Sequence, residues 1–421
     1  MRIALVSYEY PPDTAYGGIA TYTQQMAKML CGRGHTVEVF AASDKRAGSE
    51  GGDRLRVNLV NELDTERFAD KVAQVFRERQ SIRAFDVVES PEYNANGREI
   101  LSTHPDIAHV VKLHTPSELL REISCCQLHI SGWIRHYVGQ TRVALGAVRR
   151  GRRPAPFRKP EAKSAAKAIE FIERNYVKMC DFVVSPSQSL LNWAVANWSI
   201  DPGNSMVVPN PYVPADSLLD IGVRRNGKVV GFFGRLEYRK GVTDLVDAIP
   251  LILRGEPDTR FHFVGKALIH PGTLEPFDKY IRRKLRRHMD RVTLVGQRSL
   301  EEMPREYSGV DICVFPSIWE NFPNVCLESM AAGRGIVASS AGGMAEMLEE
   351  GGGILVPPRS PRQLADAVIE FIRCPELRST AGGQARREVL ERYSSDKILP
   401  AVERSYERAI AANRRKYGYN L

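Results

Sequence analysis

The chain has no run of the roughly 18–20 apolar residues that a bilayer-spanning helix requires, so no membrane span is expected in it. Cysteines are few and show no C-x-x-C spacing: Cys31, Cys125, Cys126, Cys180, Cys313, Cys326 and Cys374 are scattered and odd in number. That argues against a disulfide framework or a zinc site, and for a reduced, cytoplasmic setting. Several lie in apolar segments such as DICVFPS, where a thiol behaves as a small hydrophobe. Three signatures of nucleotide and metal handling are missing too. There is no G-x-x-x-x-G-K-[ST] phosphate loop, no G-x-G-x-x-G dinucleotide fingerprint and no D-x-D clamp for a divalent cation. Low-complexity tracts and short-period repeats are also absent. The opening MRIALVSYEYPP holds too short an apolar stretch for a secretory leader and reads as a first β-strand.

What is present is an ordinary globular composition, 43% hydrophobic and 26% charged over 421 residues, enough for two domains with separate cores. The formal net charge of +9 is a local feature. Residues 121–160 carry nine basic side chains (Arg121, Arg135, Arg142, Arg149, Arg150, Arg152, Arg153, Arg158 and Lys159) against Glu122 alone. That segment is therefore +8, leaving about +1 for the other 381 residues. It also interleaves Trp133, Ile134, Tyr137, Val138, Val143 and Leu145 with its arginines. Such a stretch suits an anionic membrane surface or acceptor, or a plain solvated loop; nucleic acid is the least favoured partner.

Strands and amphipathic helices alternate from end to end, the pattern of parallel α/β sheets. IALVSY, TVEVFAA, DVVES, HVVKLH, FVVSPS and MVVPN read as strands of a first half. VVGFFG, RFHFVG, VTLVG, DICVFPS, GIVAS and GILVP read as strands of a second. Ile19, Tyr22, Met26, Met29 and Leu30 recur at helical spacing until Gly32 and Gly34 stop them, and Val242, Leu245, Val246 and Ile249 repeat the pattern later. A long helix is expected over 161–180, and Pro209, Pro211 and Pro214 mark a hinge. The expectation is an α/β fold of two facing doubly wound parallel-sheet domains, 1–212 and 213–395. A closing helix over about 395–416, with Ile398, Leu399, Val402, Tyr406 and Ile410 on one face, is expected, and residues 396–421 cross back to the first domain.

The strongest chemical signal is PSIWENFPNVCLESMAAG, where a strand end leads through Glu320 into a helix that begins near Asn324 or Val325 and carries Glu328. Open α/β sheets bind ligands at strand ends and helix N-termini, where free backbone N–H groups point outward. Two carboxylates there suit the paired hydroxyls of a sugar or ribose. By spacing alone, a capping glutamate beside a solvated loop glutamate would look the same. In GRLEYRKG, Arg235 and Lys240 straddle a turn where two fixed cations could neutralise a departing nucleoside diphosphate without a metal; an exposed basic turn is the plainer reading. Gly17 and Gly18, between the first strand and first helix, would let backbone approach a ligand, although a Gly-Gly pair is more often only a turn. His114, at a strand end in VVKLHTPSE, could share a proton near neutral pH, although a lone histidine is more often structural.

These segments together resemble glycosyltransferase family 4, a large family of retaining enzymes with the two-domain GT-B architecture. The Gly-Gly loop, the VVPN hinge, G-R-L…K-G, the E-x7-E from Glu320 to Glu328, AGGMAEMLEEGGGILVPP and the closing helix carry the resemblance over nearly the whole chain. It implies a metal-independent, hexosyl-type enzyme with a nucleoside-diphosphate sugar as co-substrate and no other cofactor. The acceptor would be a polysaccharide, a lipid-linked sugar or a small molecule. By the same resemblance Arg235 and Lys240 hold the donor diphosphate and Glu328 the ribose hydroxyls. Glu320 faces the transferred sugar, helped by the N–H groups of Asn324 and Val325. Gly17, Gly18 and His114 approach from the other domain, and the leaving phosphate takes the acceptor proton. Pro211 after Asn210 and Pro323 in the E-x7-E segment stand where the family commonly has glycine. An epimerase or hydrolase of the same fold would need an acid/base pair at the sugar carbon, for which His114 and Glu320 are the candidates. A catalytically silent relative recruited through the basic stretch is the other alternative. The expected location is cytoplasmic, at the inner face of the membrane if that stretch docks there.

Overall fold

The structure, a computed structural model, describes residues 1–14, 17–125, 162–222 and 227–418. The basic stretch from residue 126 onward, with Trp133, Tyr137, Arg149 and Arg150, lies outside the described residues.

The first sheet comprises β1 (Arg2–Ser7), β2 (Thr36–Ser43), β3 (Gly48–Gly51), β4 (Leu55–Asn61), β5 (Val87–Pro91), β6 (Ala108–Lys112), β7 (Phe182–Ser185) and β8 (Ser205–Val207). Their spatial order is β3-β4-β2-β1-β5-β6-β7-β8. The second comprises β9 (Val229–Phe233), β10 (Arg260–Val264), β11 (Val292–Gly296), β12 (Ile312–Phe315), β13 (Gly335–Ser339) and β14 (Ile354–Val356), in the order β11-β10-β9-β12-β13-β14. Neighbours run parallel, with Ile3 beside Val37 and Val87 and Ile312 beside Val230 and Gly335; only the edge pair β3/β4 is antiparallel. Helices cover both faces, so every residue of β1 and β12 is buried and the strands read as unbroken apolar runs.

All twelve expected strands are present, and two more, β3 and β4, were not anticipated. In β4, LRVNLVN, Arg56 and Asn58 interrupt the apolar pattern. Asn58 is tolerated at full burial because its amide donates to Glu38 Oε2 at 3.1 Å. The β3 sequence GSEG is fully exposed and has no strand propensity; pairing to β4, Gly48 opposite Leu59 and Gly51 opposite Arg56, is what makes it a strand.

The helix Gly18–Gly32 buries Tyr22, Met26 and Leu30 against β1 and β2, and Val242–Gly255 buries Val242, Leu245, Val246 and Ile249 in the second lobe. The closing helix Ser395–Tyr417 returns to the first sheet, where Ile398, Leu399, Val402 and Tyr406 join the core of β1, β2 and β6. Tyr406 Oη donates to Glu89 Oε2 at 2.8 Å, and Tyr22 Oη donates to the other carboxylate oxygen at 2.9 Å. Where the chain crosses between lobes, Tyr212 N donates to Tyr393 O at 2.8 Å. Cys31, Cys180, Cys313, Cys326 and Cys374 are unpaired, and burial pushes the Cys313 thiol up to about 12, in keeping with a small hydrophobe. Among the described residues no helix is long and apolar enough to cross a membrane.

In each sheet the strand order reverses beside the first strand: β1 has β2 on one side and β5 on the other, and β9 has β10 and β12. Loops leaving the carboxyl ends of such strands diverge and open a crevice. The two crevices face each other across one cleft of about 870 Å³.

Candidate active site

On the first-lobe side, β1 leads through Glu9 to Gly17, which precedes the helix Gly18–Gly32 with extended backbone and without a side-chain cap. The start of that helix lines the cleft through Gly17, Gly18 and Ile19. A Cβ built on Gly18 would meet nothing within 4 Å, so internal packing does not require glycine there. Glu9 lies against this turn. Burial raises its carboxyl above the usual range, with His114, the Ala20 N–H, Arg235 and the Gly17 N–H pulling the other way, and its Oε2 is buried without a hydrogen-bond partner among the described residues.

His114 leaves the end of β6. Its peptide N–H donates to both oxygens of the buried Glu92 carboxylate, at 2.9 and 2.8 Å. Nδ1 lies 3.0 Å from the Lys112 carbonyl oxygen, a contact that is a hydrogen bond only with the proton on Nδ1. Nε2 is buried and has no partner among the described residues. Tyr22 packs edge-on against the ring at 5.4 Å.

On the second-lobe side, the turn after β9 can close only with glycine at 241. Gly241 has φ +69, and a Cβ there would lie 1.9 Å from the Pro316 carbonyl oxygen. The approach holds Lys240 over the strand end that leads to Glu320. Lys240 Nζ lies 2.6 Å and Arg239 Nη1 2.9 Å from the same oxygen, Glu320 Oε1. Glu237 continues the chain of charges, 3.0 Å from Arg239 and 3.3 Å from Arg235. Burial alone would raise the Glu320 carboxyl, but Arg239 and Lys240 hold it below the usual value. Burial lowers the Lys240 ammonium, with Glu320 opposing. Arg235 is half exposed and lines the cleft, paired there with Glu237.

The helix Asn324–Ala331 starts after Pro323 without a side-chain cap, leaving the N–H groups of Asn324 and Val325 open to the cleft. Glu328 sits one turn deeper and does not line it. Burial pushes its carboxyl up to about 7, although Tyr307 Oη donates to Oε2 at 2.8 Å.

The structure thus brings Gly17, Gly18 and His114 together with Arg235, Lys240, Glu320, Asn324 and Val325 around one cleft, with Glu328 half-buried one helical turn on from Asn324. It also shows Lys240 paired with a carboxylate that the sequence presents 80 positions away. Sequence reasoning missed Glu9, Arg239 and Asn321, which share the cleft. Glu9 sits among ordinary loop residues, Arg239 is masked by its basic neighbours, and Asn321 carries no charge; adjacency to residues already singled out was the one available signal.

Two facing doubly wound lobes, with a cationic turn and a carboxylate-bearing helix start across the cleft, define the GT-B class of glycosyltransferases. Residues 16–215 match the family model described as Glycosyltransferase Family 4, and residues 227–374 match that of Glycosyl transferases group 1. The chain belongs to this family and is a glycosyltransferase. A glycosyltransferase of Methanocaldococcus jannaschii is 24% identical over 97% of this chain and 99% of its own. Among solved structures, sucrose-phosphate synthase from Thermosynechococcus elongatus superposes with a TM-score of 0.70 at 19% identity, covering 98% of this chain and 99% of that one. The Anabaena protein HepE in complex with UDP-glucose gives a TM-score of 0.65 at 19% identity, covering 97% and 99%.

Proposed function

We propose that this glycosyltransferase moves a hexose from a nucleoside-diphosphate sugar to a glycan, lipid-linked or small-molecule acceptor, with retention and without a metal. The observation that carries this reading is the meeting, in one cleft, of three cations (Arg235, Arg239 and Lys240), the uncapped start of the Asn324–Ala331 helix and the unpaired Nε2 of His114. A diphosphate carries charge that cations and helix N-termini neutralise. Arg235 and Lys240, with the N–H groups of Asn324 and Val325, would hold it, and Gly18 leaves room for it to approach from the first lobe. Glu328 would take the ribose hydroxyls as an ionised carboxylate. Glu320, held in place by Arg239 and Lys240, would accept from hydroxyls of the transferred sugar, and His114 Nε2 would accept from one more. The leaving phosphate, freed of covalent charge sharing, would take the acceptor proton on the same face, which gives retention. Among the described residues no three His, Cys, Asp or Glu side chains gather to hold a metal ion, and the cations supply the charge a metal would otherwise bring. A nucleotide-sugar donor is also in keeping with the UDP-glucose in the Anabaena structure.

The reading further assigns 1–212 with 396–421 to acceptor binding and 213–395 to donor binding. The basic stretch 121–160 would rest on an anionic membrane surface at the cytoplasmic face. Purified protein incubated with a panel of nucleotide sugars, with and without acceptor extracts, should release nucleoside diphosphate equally in buffer and in excess EDTA. Turnover that chelation abolishes and Mg²⁺ restores would overturn the metal-independent mechanism.

A further inference from the structure

Glu320 and His114 belong to different lobes, so whatever chemistry they share exists only while the lobes are held at one separation. The contacts that hold it are concentrated next to these two residues. Asn321, directly after Glu320, is buried, and both ends of its amide are spent on the first lobe: Nδ2 donates to the His114 carbonyl oxygen, and Oδ1 accepts from Ser187 Oγ at 2.7 Å. Ser187 is itself the cap of the helix Gln188–Trp198, accepting from Leu190 N at 3.2 Å. The two remaining first-turn amides, Gln188 N and Ser189 N, donate to Glu346 Oε2 at 2.8 Å and Oε1 at 2.7 Å, and Glu346 belongs to the second lobe. A carboxylate from one lobe thus closes a helix N-terminus of the other, where its charge is favoured. Gly343 allows the approach: a Cβ there would lie 2.2 Å from the Asn321 carbonyl oxygen and 2.3 Å from Ser187 Cβ. Its own N–H donates to the Glu320 carbonyl oxygen at 2.8 Å.

On this geometry we infer that Asn321 is a positioning residue, the fastener that sets His114 against Glu320 when the lobes close, with Glu346 as a second tie. The inference rests on the proposed roles of His114 and Glu320 at the transferred sugar. The fastening is built to be reversible. Every group in these two ties is a hydrogen-bonding group that water can satisfy when the lobes part, so opening leaves no orphaned charge in them. The two ties act differently on the site. Glu346 holds lobe to lobe at a distance from the sugar, whereas Asn321 grips the backbone of His114 itself and is joined by one peptide bond to Glu320.

The test uses the full chain with Asn321→Ala, Asn321→Asp and Glu346→Ala. Small-angle scattering without ligand should give a larger radius of gyration for Asn321→Ala and Glu346→Ala than for wild type. Exchange of the Gln188 and Ser189 amide hydrogens should also be faster in both. Calorimetric affinity for UDP should stay within about threefold of wild type in all three, because the diphosphate cations lie on the second lobe. For the nucleotide sugar that wild type turns over, kcat should fall at least about tenfold in Asn321→Ala with KM little changed. Asn321→Asp, which keeps the acceptor for Ser187 and loses the donor to His114, should fall between. Wild-type kcat in Asn321→Ala overturns the inference. So does a loss of UDP affinity as large as the loss of turnover, which would make Asn321 part of the donor site. Unchanged turnover in His114→Ala would instead remove the sugar-site reading, while the scattering result would still show whether Asn321 fastens the lobes.

Discussion

At the scale of single residues, the most consequential observation is that two cations share one oxygen of Glu320. A carboxylate held this way is ionised and fixed in orientation, which suits a group that must meet sugar hydroxyls without reorganising. Replacing it by Gln keeps its shape and frees Arg239 and Lys240 for phosphate. Glu320→Gln should therefore lower kcat by about 10²-fold while leaving UDP affinity equal or tighter, read by turnover and calorimetry on the same samples. Weaker UDP binding in that variant would place Glu320 on the diphosphate. Glu328 makes a different prediction. Its carboxyl sits at about 7, so the free protein holds a proton there below that pH and loses it above. Ribose hydroxyls donate best to the ionised form, so affinity for UDP-glucose, whose phosphates do not titrate in this range, should rise about tenfold from pH 6 to pH 8. Glu328→Gln should flatten that profile, and an unchanged slope in the variant would assign it to another group. Both carboxylates were legible in the spacing; their opposite ionisation was not, because burial and distant cations decide it.

At the scale of elements, the first sheet is tied by a buried charged knot. Glu38 on β2 receives Arg2 of β1 at 2.6 Å, Arg79 at 2.8 Å and Asn58 of β4 at 3.1 Å. Burial would raise this carboxyl, yet its partners bring it to about 2 from an ordinary 4.5. Between those values the folded protein binds fewer protons than the unfolded one. The stabilisation is therefore complete above pH 4.5 and lost as pH falls toward 2, amounting to about 3 kcal/mol in all. Urea denaturation of Glu38→Gln should show a deficit against wild type at pH 7 that shrinks by pH 3, and a deficit independent of pH would refute the ionic origin. The same knot explains why β4 escaped sequence reading. Its central polar residue, Asn58, is a partner of Glu38, and alternation counts it as an interruption. β3 escaped for the opposite reason, having no side-chain signal and existing only as backbone paired to an edge.

At the scale of the whole molecule, the net charge of +9 is almost entirely the +8 of residues 121–160. On the proposed membrane role, this charge, with Trp133 and Val138 among it in the sequence, would contribute roughly 1 kcal/mol per cation near an anionic bilayer. The protein should co-sediment with vesicles rich in anionic lipid and not with neutral ones. Binding should fall steeply with salt, since the field is screened over about 8 Å at physiological ionic strength. Replacing Arg149, Arg150, Arg152 and Arg153 with serine should abolish sedimentation and leave donor hydrolysis intact. Equal recovery of variant and wild type in the pellet would reduce the arginines to a solvated loop or a grip on a soluble acidic acceptor.

The sequence by itself determined the alternation of buried strands and amphipathic helices, the break near Pro209 and Pro211, and the loops on which Gly18, His114, Arg235, Lys240 and Glu320 sit. These are local signals, since apolar periodicity and turn residues act within a few positions of one another. Only the tertiary structure decided which of those residues meet. The pairing of Lys240 with Glu320, the hydrogen bond from Tyr307 to Glu328 and the reach of Asn321 to the His114 carbonyl join loops far apart in the chain. The physical reason is that electrostatics and desolvation depend on distance and burial in space, and one-dimensional spacing carries neither.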